Sequence, residues 1–123
     1  MTTHISWILQ AAVKPGKLAD FKTLMGEMVE LTGSEPGAVA YEWFVTDDGS
    51  QVHIYERYAD SDAALAHFGS FGENFAERFF GAVDPTGIVV YGSPSDALRD
   101  GLAALGPSYL GPLGGFAHRT AGS

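Results

Sequence analysis

Two residues of this chain, Glu56 and His67, have the side chains that most often carry acid–base chemistry near neutral pH. Glu56 shares one face of a predicted strand with apolar neighbours, and a carboxylate in that position loses hydration. His67 lies eleven residues later, at the border of the apolar side of a predicted helix. Imidazole is the usual general base near neutral pH, and a carboxylate can orient it. The pair therefore predicts a pocket in which His67 is the base and Glu56 positions it.

Both residues also have a purely structural interpretation. Glu56 would be satisfied equally well by a hydrogen bond from a backbone amide, a tyrosine or a histidine. A lone histidine beside an apolar stripe is more often a satisfied core or boundary residue than a catalytic one. The sequence leaves both interpretations open.

Aromatic side chains near Glu56 in the predicted sheet indicate what such a pocket would bind. Tyr41, Trp43 and Tyr58 share its face and offer flat walls to a planar aromatic ligand. Asn74 lies among three phenylalanines and is a candidate donor to a ligand oxygen. Ordinary core filling by the rings, and a solvated helix position for Asn74, are the alternatives. These four residues are the candidate substrate-binding residues.

Several other chemistries find no support in the sequence. Cysteine is absent, which excludes disulfides, thiolate metal sites and cysteine nucleophiles. The four histidines, His4, His53, His67 and His118, show no metal-ligand spacing. No Gly-x-Gly-x-x-Gly turn, phosphate-binding loop or Gly-x-Ser-x-Gly motif occurs. We therefore expect neither a metal nor a nucleotide cofactor.

The composition is that of a small folded protein. Of the 123 residues, 46% are hydrophobic, and seven Lys and Arg against fifteen Asp and Glu give a net charge of -8. Such an acidic surface repels phosphate backbones and anionic lipids, so we expect no nucleic-acid or membrane partner. The N-terminus lacks the features of a secretory signal, and no apolar run approaches the roughly 20 residues of a membrane span. These features predict a single domain over residues 1–123 in the cytoplasm.

Hydrophobic periodicity predicts the elements that must position these side chains. Residues 4–13 alternate as a strand, and apolar residues over 18–31 recur at helical spacing. Asp48-Gly49 between two alternating runs, 38–46 and 51–59, predicts a β-hairpin. The predicted register places four pairs opposite each other: Val45 and Val52, Trp43 and Ile54, Tyr41 and Glu56, and Val39 and Tyr58.

The second half of the chain predicts another helix and another strand. Asp60 is suited to cap a second helix, and two glycines, Gly69 and Gly72, interrupt that helix. Asp84-Pro85 ends the helical region, and residues 87–91 form a last strand.

The predicted order of strand, helix, strand, strand, helix, strand is that of a ferredoxin-like α+β fold, an antiparallel sheet with helices on one face. Its core spans residues 4–92, and an extra C-terminal helix and arm occupy residues 93–123. The open face of the sheet is half apolar, with Phe44 and Tyr55 on it, so a second layer should cover it. We expect two such sheets to pack together as a homodimer, a dimeric α+β barrel.

The chain resembles the antibiotic biosynthesis monooxygenase family over roughly residues 4–92. The central part of the match joins a Glu-x-aromatic segment, an Asp cap, small residues and a helical histidine. The matching segments are Glu56-Arg57-Tyr58-Ala59-Asp60, Ala63-Ala64, His67, Val13-Lys14-Pro15-Gly16-Lys17 before the first helix, and Glu35-Pro36-Gly37 before the second strand.

The resemblance implies a concrete function. The family includes oxygenases that oxidise anthrones or quinols without metal or flavin, so it implies a small aromatic substrate, molecular oxygen and no cofactor. His67, oriented by Glu56, would remove a phenolic or enolic proton. The resulting anion would stack on the aromatic walls and pass an electron to oxygen, while Tyr58 or Asn74 would hydrogen-bond the developing oxyanion.

Two departures from the family keep other functions open. Relatives often carry another histidine shortly after the first, whereas this chain has Gly69-Ser70-Phe71-Gly72, and its C-terminal extension is longer than the minimal family domain. One alternative is a non-catalytic dimeric binder of aromatic metabolites or a stress-response module. Another is an isomerase of small keto compounds that uses the same base without oxygen. Haem degradation ranks lower, because the first-strand asparagine and helical tryptophan of haem-degrading relatives are missing.

Overall fold

The computed structural model of the chain describes residues 2–118 as a five-stranded sheet with helices packed on one face. The strands are β1 (Ile5–Val13), β2 (Ala38–Val45), β3 (Gln51–Tyr58), β4 (Val83–Tyr91) and β5 (Ser108–Leu110), in the order β2-β3-β1-β4-β5. The helices are α1 (Leu18–Gly33), α2 (Ser61–Asn74), α3 (Ala76–Ala82) and α4 (Asp96–Leu102), and a 3-10 turn (Ala103–Leu105) follows α4. The predicted ferredoxin-like α+β order is confirmed. None of the helices between residues 2 and 118 has the length and apolarity that a membrane span requires.

The hairpin register is confirmed for three of the four predicted pairs. Those pairs are Val45 with Val52, Trp43 with Ile54, and Tyr41 with Glu56. The fourth, Val39 with Tyr58, is wrong because the register shifts between Ala38 and Ala40, so that Ala38 lies opposite Tyr58. Such an irregularity near the end of an edge strand turns the extra residue out of the ladder, and Val39 is 52% exposed.

Helix α2 begins as predicted but does not break where predicted. The Asp60 side chain accepts a hydrogen bond from Ala63 N and caps the helix. The predicted interruption at Gly69 and Gly72 is wrong, since α2 continues to Asn74. A glycine costs a helix only about 1 kcal/mol, which packing against the sheet can offset. The break comes at Phe75, whose φ of -131° leaves the helical region.

Strand β4 starts earlier than the predicted 87–91. It begins at Val83 and includes Pro85, so the prediction that Asp84-Pro85 precedes the strand is wrong. The pairing with β1 shifts register between Gln10 and Ala11, opposite this proline. Proline, which lacks an N–H, is tolerated in strands at such irregularities.

The core lies between the sheet and the helices in two adjoining clusters. The residues of the first are Ala11, Phe21, Leu24, Met28, Val52, Ile54, Phe79, Ala82 and Val83. The residues of the second are Ile5, Trp7, Tyr58, Ala64, Ile88, Val90, Leu98 and Leu102. Glu56 lies two residues from Ile54 and two from Tyr58 on β3, so its side chain points into the same layer, under α2.

The C-terminal segment adds to both the helical layer and the sheet. The predicted C-terminal helix is confirmed as α4, which buries Leu98 and Leu102 against α2 and the sheet. The chain then forms β5, which pairs in parallel with β4. The predicted arm extends to Ser123, and its residues 119–123 lie outside the described part of the chain.

Candidate functional site

A row of side chains crosses the sheet beneath α2. Glu56 on β3 lies opposite Tyr41 on β2 and opposite Trp7 on β1, so all three side chains point into the helical layer. Helix α2 places His67 directly above this row. The His67 ring centroid lies 5.4 Å from that of Tyr41 and 5.0 Å from that of Tyr58. The two residues predicted to do chemistry are thus brought together in an aromatic setting.

The imidazole of His67 lies between two carboxylates. Its Nε2 is 3.2 Å from Glu56 Oε1, and its Nδ1 is 2.9 Å from Glu35 Oε1. Tyr58 Oη donates a hydrogen bond to the same Glu56 oxygen at 2.7 Å. A neutral imidazole has one N–H and one lone pair, whereas the imidazolium can donate from both nitrogens. The arrangement therefore favours a protonated His67.

Burial and charge act on His67 in opposite directions. Burial by itself lowers the pKa of His67, because the interior disfavours the cation. The hydrogen bond and charge of Glu56, together with those of Glu35, outweigh burial and raise the pKa above its usual 6.5. In the resting protein His67 is thus better suited to be a proton donor than the free base that the sequence predicted.

Glu35 is a site residue that the sequence patterns did not mark as functional. It follows α1 in the connection to β2, where its N–H donates to Thr32 O at 3.0 Å and its carbonyl accepts from Ala38 N at 3.2 Å. The two hydrogen bonds join its backbone to the end of α1 and the start of β2. The only signal in the sequence was its place in the Glu35-Pro36-Gly37 segment of the family resemblance, and no periodicity pointed to a contact with His67.

Both tyrosines of the site remain neutral phenols. Burial, followed by the charge of Glu56, raises the pKa of Tyr41 and of Tyr58 well above the usual value of 10. Tyr58 directs its hydroxyl hydrogen at Glu56, so this donor is engaged within the protein.

An apolar cavity of about 250 Å³ opens beside the Glu56–His67 pair. Its floor is the sheet, its sides are α2 and α3, and its far wall is the end of α4 and the 3-10 turn. The lining residues are Trp7, Leu9, Met28, Tyr41, Ile54, Glu56, His67, Phe68, Phe71, Gly72, Ala76, Phe79, Phe80, Ile88, Gly101, Leu102, Ala104 and Leu105. The ionisable residues of this lining are Glu56, His67 and Tyr41. They lie together, so the polar side chains of the cavity are concentrated at one end.

The predicted substrate-binding residues are distributed unevenly around this cavity. Tyr41 lines it, but Trp43 and Tyr58 are not among the lining residues. Trp43 packs against Phe21 in the first core cluster, and its buried indole N–H has no hydrogen-bond partner among the described residues. The tryptophan at the cavity is Trp7, which the sequence analysis did not name.

Asn74 lies away from the cavity. It occupies the last, exposed position of α2, and its side-chain Nδ2 donates to Ser70 O at 3.0 Å. The structure thus fits the solvated helix position that was the alternative for this residue.

Within residues 2–118, no group of three or more His, Cys, Asp or Glu side chains is arranged to hold a metal ion. At the cavity, Glu56 and His67 can exchange protons with a ligand, and the aromatic walls can pack against it. Such an arrangement can hold an apolar molecule and exchange a proton with one hydroxyl or enol group on it.

Comparisons with solved structures identify several proteins of similar fold. MupZ from Pseudomonas fluorescens superimposes with a TM-score of 0.86 at 25% identity, covering 96% of this chain and 91% of MupZ. Rv0793 from Mycobacterium tuberculosis gives a TM-score of 0.65 at 22% identity, covering 76% of this chain and 98% of its own. SnoaB, a cofactor-independent oxygenase from Streptomyces nogalater, gives 0.66 at 14% identity, covering 76% and 96%. The likeness to MupZ thus includes most of the C-terminal segment, which lies largely beyond the other two.

No curated protein matches the chain by sequence. A family model does match it: the model of the antibiotic biosynthesis monooxygenase family aligns with residues 5–83. This stretch is well over half of the chain, and it contains β1, the hairpin, α2 and α3, with Glu35, Glu56 and His67. The chain therefore belongs to the antibiotic biosynthesis monooxygenase family.

Proposed function

We propose that this protein is a monooxygenase that acts on a small aromatic quinol, anthrone or related enolisable molecule, with molecular oxygen as co-substrate and no cofactor. The observation that carries the proposal is the buried Glu56–His67 pair at one end of an otherwise apolar cavity. Family membership supports the reaction type, and the description of SnoaB as a cofactor-independent oxygenase supports chemistry on the substrate alone.

The cavity favours a small, mostly apolar substrate. Pockets for drug-sized ligands usually measure about 300–1,000 Å³, and this one measures about 250 Å³. Aromatic side chains from β1, α2 and α3 line it, among them Trp7, Phe71 and Phe79. A planar molecule of one to three fused rings, with one hydroxyl or enolisable carbonyl directed at Glu56, fits this lining.

The structure suggests a division of roles that differs from the one predicted from the sequence. Both contacts on Glu56, from His67 and from Tyr58, end on Oε1, which leaves Oε2 for a ligand in the cavity. We assign the removal of the substrate proton to the Glu56 carboxylate. His67, held protonated, then stabilises negative charge as it develops and supplies a proton to reduced oxygen.

The overall reaction balances with oxygen as the only oxidant. Deprotonation gives an electron-rich enolate, which passes electrons to oxygen and forms a carbon–oxygen bond. For a methylene next to the aromatic system, CH₂ plus O₂ gives C=O plus H₂O. One oxygen atom enters the substrate and the other leaves as water, and the substrate carbon supplies all four electrons.

Oxygen consumption by the purified protein tests this proposal. Oxygen uptake and substrate loss are measured against a panel of quinols, anthrones and naphthols, each corrected for spontaneous oxidation. Glu56→Gln and His67→Gln are compared with His118→Gln, a histidine in the exposed C-terminal segment. We expect saturable uptake that falls at least about 100-fold in the two site variants, in line with the usual effect of acid–base groups, and is unchanged in His118→Gln.

A non-catalytic binder of aromatic metabolites is the second candidate, and one observation favours it. Both ring nitrogens of His67 and the hydroxyl of Tyr58 have partners within the protein, in the carboxylates of Glu35 and Glu56, as expected of a structural network. Ligand-induced thermal stabilisation without oxygen uptake in any member of the panel would support this function. Turnover that proceeds equally well without oxygen would instead identify an isomerase.

We further propose that the protein acts as a homodimer through the open face of the sheet. Phe44 on β2 and Leu110 on β5 lie on that face and are 56% and 50% exposed, and Tyr91 on β4 pairs with Leu110. Packing two such faces together would bury these side chains. Light scattering after size-exclusion chromatography should give about twice the 13.0 kDa chain mass for the wild type and the single-chain mass for Phe44→Asp.

A further inference from the structure

Glu35 differs from the other carboxylate of the cluster in its access to water. Its side chain is 21% exposed, whereas those of His67 and Glu56 are each 7% exposed. A carboxylate that keeps part of its hydration costs less to hold beside a buried cation than a carboxylate that keeps almost none. Glu35 is therefore suited to provide a lasting counter-charge for His67.

The fold holds the Glu35 segment against α2 by a contact that excludes a side chain. A Cβ built on Gly37 would overlap the Cβ of Ala63, so the backbone at Gly37 packs directly on the helix. Gly37 O also accepts a hydrogen bond from Ala59 N at 2.8 Å. Ala63 lies one helical turn before His67 on the same side of α2. The contact that docks the segment therefore also sets the position of Glu35 relative to the imidazole.

Among residues 2–118, four titratable groups face His67. Glu35 faces Nδ1 from the connection between α1 and β2, and Glu56 faces Nε2 from β3. Tyr58 on β3 and Tyr41 on β2 contact the ring through their own rings and are neutral phenols. The charge of His67 is thus determined by the two carboxylates, one on each nitrogen.

We propose that Glu35 is a positioning residue: through Nδ1 it holds the His67 imidazole in its doubly protonated form, with the Nε2 hydrogen directed at Glu56. Glu56 then remains the group that accepts a proton from a ligand in the cavity. This last consequence rests on the proposed function, whereas the effect of Glu35 on the protonation of His67 does not.

The first experiment uses the ligand-free protein. Nitrogen-15 NMR of the histidine rings gives the protonation of both His67 nitrogens as pH is varied, for the wild type, Glu35→Gln and Glu27→Gln. Glu27 is a matched control, because it is a glutamate paired with a cation, Arg78 at 2.6 Å, on the protein surface. We expect Glu35→Gln to lower the proton affinity of His67 at least about tenfold, since it removes one of two adjacent opposite charges. Glu27→Gln should leave that affinity unchanged.

An unaltered His67 titration in folded Glu35→Gln would overturn the inference. If Glu35→Gln does not fold, Glu35→Asp takes its place. Aspartate keeps the negative charge but is one methylene shorter, so the charge lies farther from His67. The proton affinity of His67 should then fall by a smaller factor, and an unchanged affinity would again overturn the inference.

The second experiment follows turnover with the quinol or anthrone that the oxygen-uptake panel identifies. Glu35→Gln should lower kcat with little change in KM, and should shift the alkaline limb of the kcat profile to lower pH by the amount that the NMR titration gives. An unshifted limb would contradict the positioning role. Absence of turnover in the wild type would refute the proposed function. The role of Glu35 would then be decided by the NMR titration alone.

Discussion

Tyr58 and Glu56, two residues apart on β3, are joined by a hydrogen bond in which Tyr58 Oη donates to Glu56 Oε1 at 2.7 Å. Residues at this spacing on a strand point to the same side. Tyr58 therefore lies on the same face of the sheet as the carboxylate of Glu56. Its hydroxyl donates a hydrogen bond to a buried oxygen whose other contact is the imidazole of His67. The relationship explains how a glutamate whose side chain is only 7% exposed is kept within an apolar layer.

Tyr58→Phe should destabilise the protein. The substitution removes a donor from a buried charged oxygen, and losing such a bond costs about 1–3 kcal/mol. Urea unfolding at pH 7 should show this loss as a lower midpoint with an unchanged slope. Tyr55→Phe, on the same strand but the opposite face, is the control and should have a smaller effect. Equal stability of Tyr58→Phe and wild type would mean that the hydrogen bond contributes nothing net.

The protonation of His67 should make stability depend on pH in a defined direction. Its pKa is raised above 6.5 in the folded protein, so the folded state binds the proton more tightly than the unfolded state. The stabilisation is therefore complete below about pH 6.5 and is lost as pH rises through the folded pKa. Unfolding free energies measured from pH 5.5 to 9 should fall with pH more steeply in the wild type than in His67→Gln. Parallel curves for the two proteins would argue against a raised pKa.

Gly37→Ala should be destabilising because of its contact with Ala63. The added methyl group would overlap the Ala63 side chain, and overpacking of this kind costs about 1–3 kcal/mol. In Gly37→Ala/Ala63→Gly the overlap is removed, although glycine in α2 costs about 1 kcal/mol by itself. A double-mutant cycle of unfolding free energies should therefore show favourable coupling between the two changes. Additive effects would contradict the contact.

The two tryptophans should respond differently to a ligand. Trp7 lines the cavity and Trp43 does not, and the chain contains only these two. The probe 1,4-naphthoquinone should quench Trp7 fluorescence on binding, so Trp43→Phe should keep the saturable quenching and Trp7→Phe should lose it. The reverse result would place the ligand near the first core cluster instead. Melting temperatures of both variants check that each is folded.

Asn74→Ala should bind the same quinone with unchanged affinity. Its amide hydrogen-bonds within α2 and lies on the surface, so stability should change by no more than about 0.5 kcal/mol. Phe71→Ala, which removes a ring from the cavity wall, should weaken binding and serves as the positive comparison. Weaker binding by Asn74→Ala would restore this residue to the site.

Much of the fold follows from local patterns, and the deviations arise where an added residue or the packing of a whole layer overrides those patterns. Asp48-Gly49 specifies the hairpin, and Gly49, at a φ of +75°, occupies the left-handed region that the turn requires. The irregularity at Val39 was not predictable, because alternation continues through it in the sequence. The position of the break after α2 depends on packing of the whole helical layer, which overrides the preferences of two glycines.

Part of the candidate site was also predictable, where a residue is unusual within its own strand or helix. Glu56 and His67 stood out because a buried carboxylate and a histidine at an apolar border are unusual within their own elements. Glu35 lies in a connection with no periodicity, and Trp7 looks like any core residue of a strand. Their roles depend on contacts between residues 30 or more positions apart, which only the assembled fold creates.

The end of α4 and the 3-10 turn form the far wall of the cavity and lead directly into β5. A molecule in the cavity therefore touches the same segment whose docking completes the edge of the sheet. By thermodynamic linkage, a ligand that contacts this wall only in its docked position would stabilise the docked segment, and docking would raise the affinity for the ligand by the same factor.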